Sequence, residues 1–302
     1  MSNLFVWYYL TFIYSFVALN HLMLLLKTIN HYKEWYQNLE DKNSIGFVPT
    51  MGALHKGHYS LIEKSVNENK VTIVSIFVNP TQFNNPIDLK NYPSCLERDL
   101  DFLRSSGTTA IFAPSVSEMY PNGTENLLNI DLLHIDKVME GKFRPGHFNG
   151  VVTVVNNLFE IVKPNNAYFG EKDFQQYMVI KRLCELKFPK INIIPSETIR
   201  EDDGLAFSSR NALLKNETRI KAKLLFNTLQ NAADLFKKMS ADELNKWVEK
   251  TINSVDGFHF EYFEIFDEQN LLPLSNSTKQ ARAFIAVYVD GIRLIDNFKF
   301  KP

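Results

Sequence analysis

The stretch FVPTMGALHKGHYSL, Phe47–Leu61, runs from a hydrophobic segment through a Pro-Thr-Met-Gly turn to His55 and His58, and then into apolar positions at helical spacing. IGFVP reads as a short buried strand and HYSLIEKSVNEN as an amphipathic helix. Histidines between a strand and a helix are either solvated loop residues or part of an anion site, because the free N–H groups of a helix start attract negative charge. The sequence on either side of the stretch weighs these two readings.

Downstream, strand and helix patterns alternate. VTIVSIFV, Val71–Val78, reads as a fully buried strand, CLERDLDFLRSSG as a helix stopped by Gly107, and TTAIFAP as another strand. GVVTVVNNLFEIVKP has helical spacing and ends before Pro164, NAYFGEKD is strand then loop, FQQYMVIKRLCELK is helix, and INIIPSETIR is strand. Strands separated by helices imply βαβ units and a parallel sheet, with ligands bound beyond the carboxyl ends of the strands at the topological switch point. The histidine pair occupies such a position.

After REDDGLAFSSRN the texture changes. Asn216–Met239 reads as one long helical stretch, and SADELNKWVEKTIN as a helix with Ser240 as N-cap and Glu243 completing a capping box. FHFEYFEIFD alternates as a strand does, and ARAFIAVYVDGIRLIDNF reads as a hairpin turned at Asp290-Gly291. The expected fold is α/β: a parallel-sheet domain over residues 23–210, closely packed against a smaller C-terminal α+β domain over residues 211–302.

A net charge of −1 supplies no electrostatic footprint for nucleic acid, so a small-molecule partner is expected. Cys95 and Cys184 sit in neither metal-ligand nor CxxC spacing, which excludes a disulfide scaffold and suggests a reducing compartment. Leu4–Leu19 is apolar and uncharged, with Asn20 and His21 interrupting it before LMLLL. A membrane anchor needs about 20 apolar residues. A cleaved signal is disfavoured, since no Lys or Arg precedes the run and no small-x-small site follows. Met23 opens MLLLKTINHYKEWYQ, which resembles a chain start leading into an amphipathic helix. Residues 1–22 are therefore expected to be an apolar extension upstream of a working start at Met23, with a membrane-facing segment as the alternative.

Several clusters carry chemistry. Gly57 between the histidines lets backbone approach a ligand, and two imidazoles there could donate to phosphate oxygens and to charge developing in a transition state. Zinc is a poor alternative, because no third ligand of suitable type lies nearby in sequence. In FGEKD, Lys172 could pair with phosphate and Asp173 could accept from ribose hydroxyls, unless the segment is an ordinary loop with a surface ion pair. In FSSRN, Ser208, Ser209 and Arg210 could cradle a polyphosphate or merely cap a helix. In FVNPTQF, Asn79 and Gln82 are neutral polar groups at a strand end, or turn chemistry around Pro80.

Taken together and in order, PTMGALHKGH, FVNPTQF, YP, RPGHFNGVVTVV, FGEKDFQQ and SSRN closely resemble the motif series of the pantoate–β-alanine ligase (pantothenate synthetase) family. The resemblance extends from about Met23 to RLIDNF. It implies a Rossmann-like nucleotidyltransferase domain and a cytoplasmic homodimer. It also implies a reaction in which ATP, with Mg²⁺, and (R)-pantoate form pantoyl adenylate and pyrophosphate. β-Alanine then attacks the mixed anhydride to give pantothenate and AMP. Adenylation makes a carboxylate oxygen a good leaving group, so no protein nucleophile is required, and catalysis rests on positioning and charge stabilisation.

Carried over by motif, Pro49, Thr50, Met51, Gly52, Ala53, Leu54, His55, Lys56, Gly57 and His58 line the ATP site, with both histidines on phosphates and His58 as proton donor. Gly170, Glu171, Lys172 and Asp173 hold ribose and phosphate, Ile199 lies by the adenine, and Phe207, Ser208, Ser209 and Arg210 close over the triphosphate. Gln82 and Gln176 match the pantoate-binding residues, Gln82 also lying near β-alanine, and Asn79, Tyr92 and Arg144 are further contributors. His55, His58, Lys172 and Arg210 form the expected catalytic set.

Two departures stand out. Phe207 replaces a usual Met or Leu, from which altered packing rather than lost activity is expected. Glu97-Arg98-Asp99 replaces the adjacent acids of many members, so no protein ligand is assigned to Mg²⁺. The alternatives are another H-x-G-H nucleotidyltransferase that acts on a phosphate, which should carry extra basic residues where Gln82 and Gln176 stand, and a membrane-tethered binding protein, which would leave the ATP-site residues without a purpose.

Overall fold

Apolar runs, buried in the inner strands and partly exposed in the two outer ones, become a six-stranded parallel sheet of order β1-β4-β3-β2-β5-β6 in the computed structural model, which describes residues 23–300. The strands are β1 (Leu24–Leu26), β2 (Ile45–Thr50), β3 (Val71–Ile76), β4 (Ala110–Phe112), β5 (Asn166–Gly170) and β6 (Asn192–Ser196). The main helices between them are α1 (Ile29–Gln37), α2 (Lys56–Glu68), α3 (Leu96–Leu103), α4 (His147–Val162) and α5 (Phe174–Lys187). Successive strand residues point to opposite faces. Phe47, Ile73 and Phe112 enter one core with α4 and α5, whereas Val48, Val74 and Ile111 enter another with Leu61 and Ile62 of α2 and Leu103 of α3. Burial on both faces is why the inner strands β2, β3 and β4 read as continuous hydrophobic runs.

β2 pairs with β3 on one side and β5 on the other, Phe47 lying opposite both Ile73 and Ala167. Winding reverses between β2 and β5, so the loops after Thr50 and Gly170 diverge and leave a crevice between them. This is the α/β class expected.

Several element boundaries differ from the sequence reading. Leu24–Leu26, taken as the lead into a helix, instead forms edge strand β1, paired in parallel with β4. The helix begins only at Ile29, where the Thr28 side chain caps it. Pairing with a strand distant in sequence outweighs the local helical pattern. The helix expected from Gly150 starts earlier, at His147, from Gly146 in the left-handed region. Gly150 packs against the carbonyl of Thr81, where a Cβ would fall 2.4 Å from that oxygen. The stretch Asn216–Met239 is two helices, Asn216–Lys221 and α6 (Leu224–Leu235).

The C-terminal part adds α7 (Ala241–Asn253) and an antiparallel sheet β7-β8-β9, comprising Phe258–Asp267, Ala281–Val289 and Ile292–Phe300. Ser240 and Glu243 form the expected capping box. Asp290 and Gly291, at φ 49° and 83°, make the hairpin turn. One face of β8, with Ile285 and Val287, packs on Leu225, Leu229, Leu244 and Val248 of α6 and α7. The other face sends Phe284 and Ala286 into the core beneath α5, where Phe284 meets Phe174 with ring centroids 6.2 Å apart. The small sheet is thus wedged between its own helices and the large sheet's layer. Among the described residues no helix is long and apolar enough to cross a membrane. The readings made of residues 1–22 lie outside the described residues.

Candidate active site

The turn after β2 is built to present its backbone. Gly52 and Ala53 are both left-handed, with φ of 79° and 51°, and a Cβ on Gly52 would lie 2.8 Å from Asp99 Oδ2. Asp99, buried on α3, accepts the Ala53 N–H at 2.9 Å and the Leu54 N–H at 2.8 Å. The turn is therefore pinned by a carboxylate from the segment in which no metal role was assigned. α2 then starts at Lys56, with His55 as N-cap and His58 one turn further in.

The two imidazoles complete one another's capping. His55 Nδ1 accepts the Gly57 N–H at 3.2 Å, and His58 Nδ1 accepts the His55 N–H at 3.3 Å. Each Nδ1 lone pair is thereby engaged, so each neutral ring carries its proton on Nε2. Burial, reinforced by the Lys172 charge, lowers the His55 pKa to about 4. Burial, the neighbouring His55 and Lys172 hold His58 well below the ordinary histidine value. Both rings are neutral at pH 7 and offer Nε2–H donors.

Two further loops face this pair. Glu171–Asp173 form a 3₁₀ turn after β5, with Lys172 Nζ 3.8 Å from the Asp173 carboxylate. The Glu171 carboxylate turns away, to Arg282 at 2.9 Å and Lys299 at 3.5 Å. An antiparallel bridge between Arg200 and Ala206 folds the Phe207–Arg210 segment back over the β2 turn. There Ser209 Oγ donates to the Ala53 carbonyl at 3.2 Å, Tyr92 donates to Ser209 Oγ at 3.4 Å, and Arg210 pairs with Asp88 at 2.8 Å. Phe207 lies parallel to His55, at 6.0 Å between centroids, and the Lys56 ammonium sits 6.0 Å over the same ring.

The deep end presents neutral amides backed by a tightly wired ion-pair network. Asn79 Nδ2 donates to Gln82 Oε1 at 2.9 Å and to the Gly150 carbonyl at 3.2 Å, while Asn79 Oδ1 accepts from Tyr120 at 2.7 Å. Gln82 Nε2 lies 3.2 Å from Met51 Sδ. The Gln82 carbonyl accepts from Arg144 at 3.2 Å and from His147 Nδ1 at 2.8 Å. His147 Nε2 then takes a second Arg144 hydrogen bond at 3.2 Å. Burial and the Arg144 charge lower the His147 pKa to about 3, which keeps the ring neutral as that geometry requires. Arg144 is in turn held by Glu140, a buried carboxylate that also pairs with Arg293 and accepts from Tyr262. Burial pushes Glu140 up, but its two arginines and Tyr262 overrule this and bring it down to about 2.

These parts enclose a cleft of about 300 Å³. Of the residues expected from sequence, Pro49, Thr50, Met51, His55, Gly57, His58, Asn79, Gln82, Tyr92, Arg144, Gly170, Lys172, Asp173, Gln176, Ile199 and Phe207–Arg210 line it. Gly52, Ala53, Leu54, Lys56 and Glu171 do not, the first three forming the turn behind the lining. The sequence reading passed over Asp99, His147, Glu140 and Asn297. His147 and Asn297 stand inside quoted motifs and Asp99 inside the Glu97-Arg98-Asp99 segment, which is the available signal; Glu140, whose partners Tyr262 and Arg293 are distant in the chain, has none. One end of the cleft gathers N–H donors and cations suited to a polyphosphate, and the other gathers neutral amides suited to a hydroxylated acid.

No three His, Cys, Asp or Glu side chains converge as a metal cage among the described residues. Asp99 is engaged by backbone N–H groups and Asp88 by Arg210. This donor set does not fit a protein-held Mg²⁺, an ion that commonly rides on phosphates and waters.

The pantoate-beta-alanine ligase family model matches residues 24–299. The pantothenate synthetase of Flavobacterium psychrophilum is 49% identical over 87% of this chain and 94% of its own. A crystal structure of pantothenate synthetase from Thermus thermophilus superposes with a TM-score of 0.85 at 40% identity, covering 93% of this chain and all (100%) of its own. The pantoate-beta-alanine ligase of Francisella tularensis, crystallised in complex with beta-gamma ATP and beta-alanine, gives a TM-score of 0.75 at 39% identity over 92% of this chain and 97% of its own.

Proposed function

As a member of the pantoate–β-alanine ligase family, the chain is an enzyme that joins pantoate to β-alanine, and we propose that it does so in two steps through a pantoyl adenylate. In the first, a pantoate carboxylate oxygen attacks the α-phosphorus of ATP, the bond from that phosphorus to the bridging oxygen of the β-phosphate breaks, and pyrophosphate leaves. In the second, the β-alanine amine attacks the acyl carbon, AMP leaves with the former carboxylate oxygen, and the amine proton passes to solvent.

The observation that carries this reading is the pair of Nε2–H imidazoles at the start of α2, facing Lys172 across the β2/β5 crevice. Neutral imidazoles with fixed tautomers are donors that need no reorganisation as charge moves onto the leaving pyrophosphate. Lys172 and Arg210 supply the positive charge, and Ser208 and Ser209 supply hydroxyls. Gly170 and Asp173 suit the ribose, and Ile199 and Phe207 give the base and the loop apolar cover. At the other end Gln82 and Gln176 hold pantoate, with Asn79 fixing which way the Gln82 amide points, and Tyr92 and Arg144 bordering the same space. Mg²⁺ is assigned no protein ligand, and no step above runs through it. A homodimer and a cytoplasmic location rest on the family resemblance alone.

The test is isotope exchange from labelled pyrophosphate into ATP. It should require pantoate but not β-alanine, and AMP release should require all three substrates. Exchange that proceeds without pantoate would overturn the two-step reading.

A further inference from the structure

The geometry points to Asn297 of β9 as the positioning residue that sets Lys172 for the adenylation step. This rests on the reading of Lys172 as a phosphate ligand given above. The single Asn297 Nδ2 donates to both the Glu171 and the Lys172 carbonyls, at 2.8 Å each. These are consecutive residues of the 3₁₀ turn that carries the lysine. The amide cannot flip, because its Oδ1 accepts from the Arg282 guanidinium. Asn297 itself is buried, its backbone N–H donating to the Asp296 carboxylate and its carbonyl accepting from Arg200 at 3.3 Å.

Arg282 closes the arrangement from below. It pairs with the Glu171 carboxylate and with Glu268, both at 2.9 Å, and lies 4.0 Å over the ring of Phe174, the residue that follows the turn. The loop bearing Lys172 is thus bolted to two adjacent strands of the C-terminal sheet through its carbonyls and one carboxylate. Lys172 makes only a 3.8 Å contact with Asp173, so its own side chain does not hold the turn in place. Asn297 makes no part of the H-x-G-H turn; its route to the chemistry runs through the lysine.

Displacing a charged group by about an ångström from its productive position can cost on the order of 10²-fold in rate. Asn297→Ala should therefore lower pantoate-dependent pyrophosphate exchange by roughly 10–10²-fold, and leave the β-alanine step, started from synthetic pantoyl adenylate, within about twofold of wild type. Asn297→Asp keeps the size and the Arg282 pairing but places oxygen against two carbonyl oxygens, and should lose exchange at least as severely. The decisive measurement is a double-mutant cycle. In a Lys172→Ala background the further substitution Asn297→Ala should change exchange by less than about twofold, since residues acting through one another are non-additive.

Effects that multiply in the double variant, or Asn297 variants that exchange at the wild-type rate, overturn the proposal. So does failure of both variants to retain the wild-type melting curve, which makes Asn297 a folding residue only. If the wild-type protein itself shows no pantoate-dependent exchange, it is the two-step reading that falls, and the control reveals it before any variant is compared.

Discussion

His58 accepts through Nδ1 the backbone N–H of His55, at 3.3 Å, with the two rings 4.0 Å apart. One histidine therefore caps the residue that caps the helix, and a substitution at either site disturbs both capping and chemistry unless the two are separated by design. His58→Asn leaves an acceptor near the Nδ1 position and deletes the Nε2–H donor. Adenylate formation should fall by roughly 10²–10³-fold, the range for losing one transition-state donor, with the melting temperature nearly unchanged. His55→Ala should additionally cost about 0.5–2 kcal/mol as a lost N-cap and weaken ATP binding. Single-turnover kinetics and thermal melts on both variants check this.

Acid should destabilise the protein well before its carboxylates titrate. His55 and His147 have folded-state pKa values of about 4 and about 3, with burial the leading cause, and His58 is also lowered, against an ordinary value of 6.5. Between pH 6.5 and about 4 the unfolded chain binds protons on these rings that the folded chain refuses, so stability rises with pH across that window and is lost as pH falls. The urea midpoint should drop from pH 7 to pH 5, and His147→Gln should flatten that slope. A slope identical to wild type would show that His147 titrates normally.

Asp99 receives two backbone N–H groups of the β2 turn. In Asp99→Ala those donors lose their partner, at about 1–3 kcal/mol for each group left buried and unsatisfied. The turn that presents His55 should loosen, raising KM for ATP more than it lowers the rate of the β-alanine step. Asp99→Asn keeps one acceptor and should fall between. Denaturant titration combined with half-reaction kinetics distinguishes this from a global effect.

Glu140 joins Arg144, Arg293 and Tyr262 at the end of the cleft that holds Gln82. Breaking such a buried pair costs about 3–5 kcal/mol, so Glu140→Ala should lower the melting point sharply and, through Arg144, disorder the Gln82 carbonyl. Because its folded pKa is depressed to about 2, this contribution is present above the ordinary value of 4.5 and is lost as pH falls from there toward 2. Pantoate KM should rise in Glu140→Gln while ATP KM holds. Equal changes in both would argue against a local effect.

Sequence by itself determined what a short window can encode. Buried runs such as Val71–Ile76 became central strands, Ser240 and Glu243 formed their capping box, and Asp290-Gly291 turned the hairpin, because hydrophobic period and turn chemistry are local. The order of the motifs was enough to reach the family and most of the cleft's lining. Tertiary structure decided the rest. Leu24–Leu26 is a strand only because β4 lies beside it, and Glu171 leaves the cleft only because Arg282 waits on β8. The His55 and His58 tautomers follow from which backbone N–H each Nδ1 meets, and Asp99, Glu140 and Asn297 matter through partners far away in the chain. A buried polar group must find its partner wherever the fold brings one, and that pairing leaves no periodic trace in the chain.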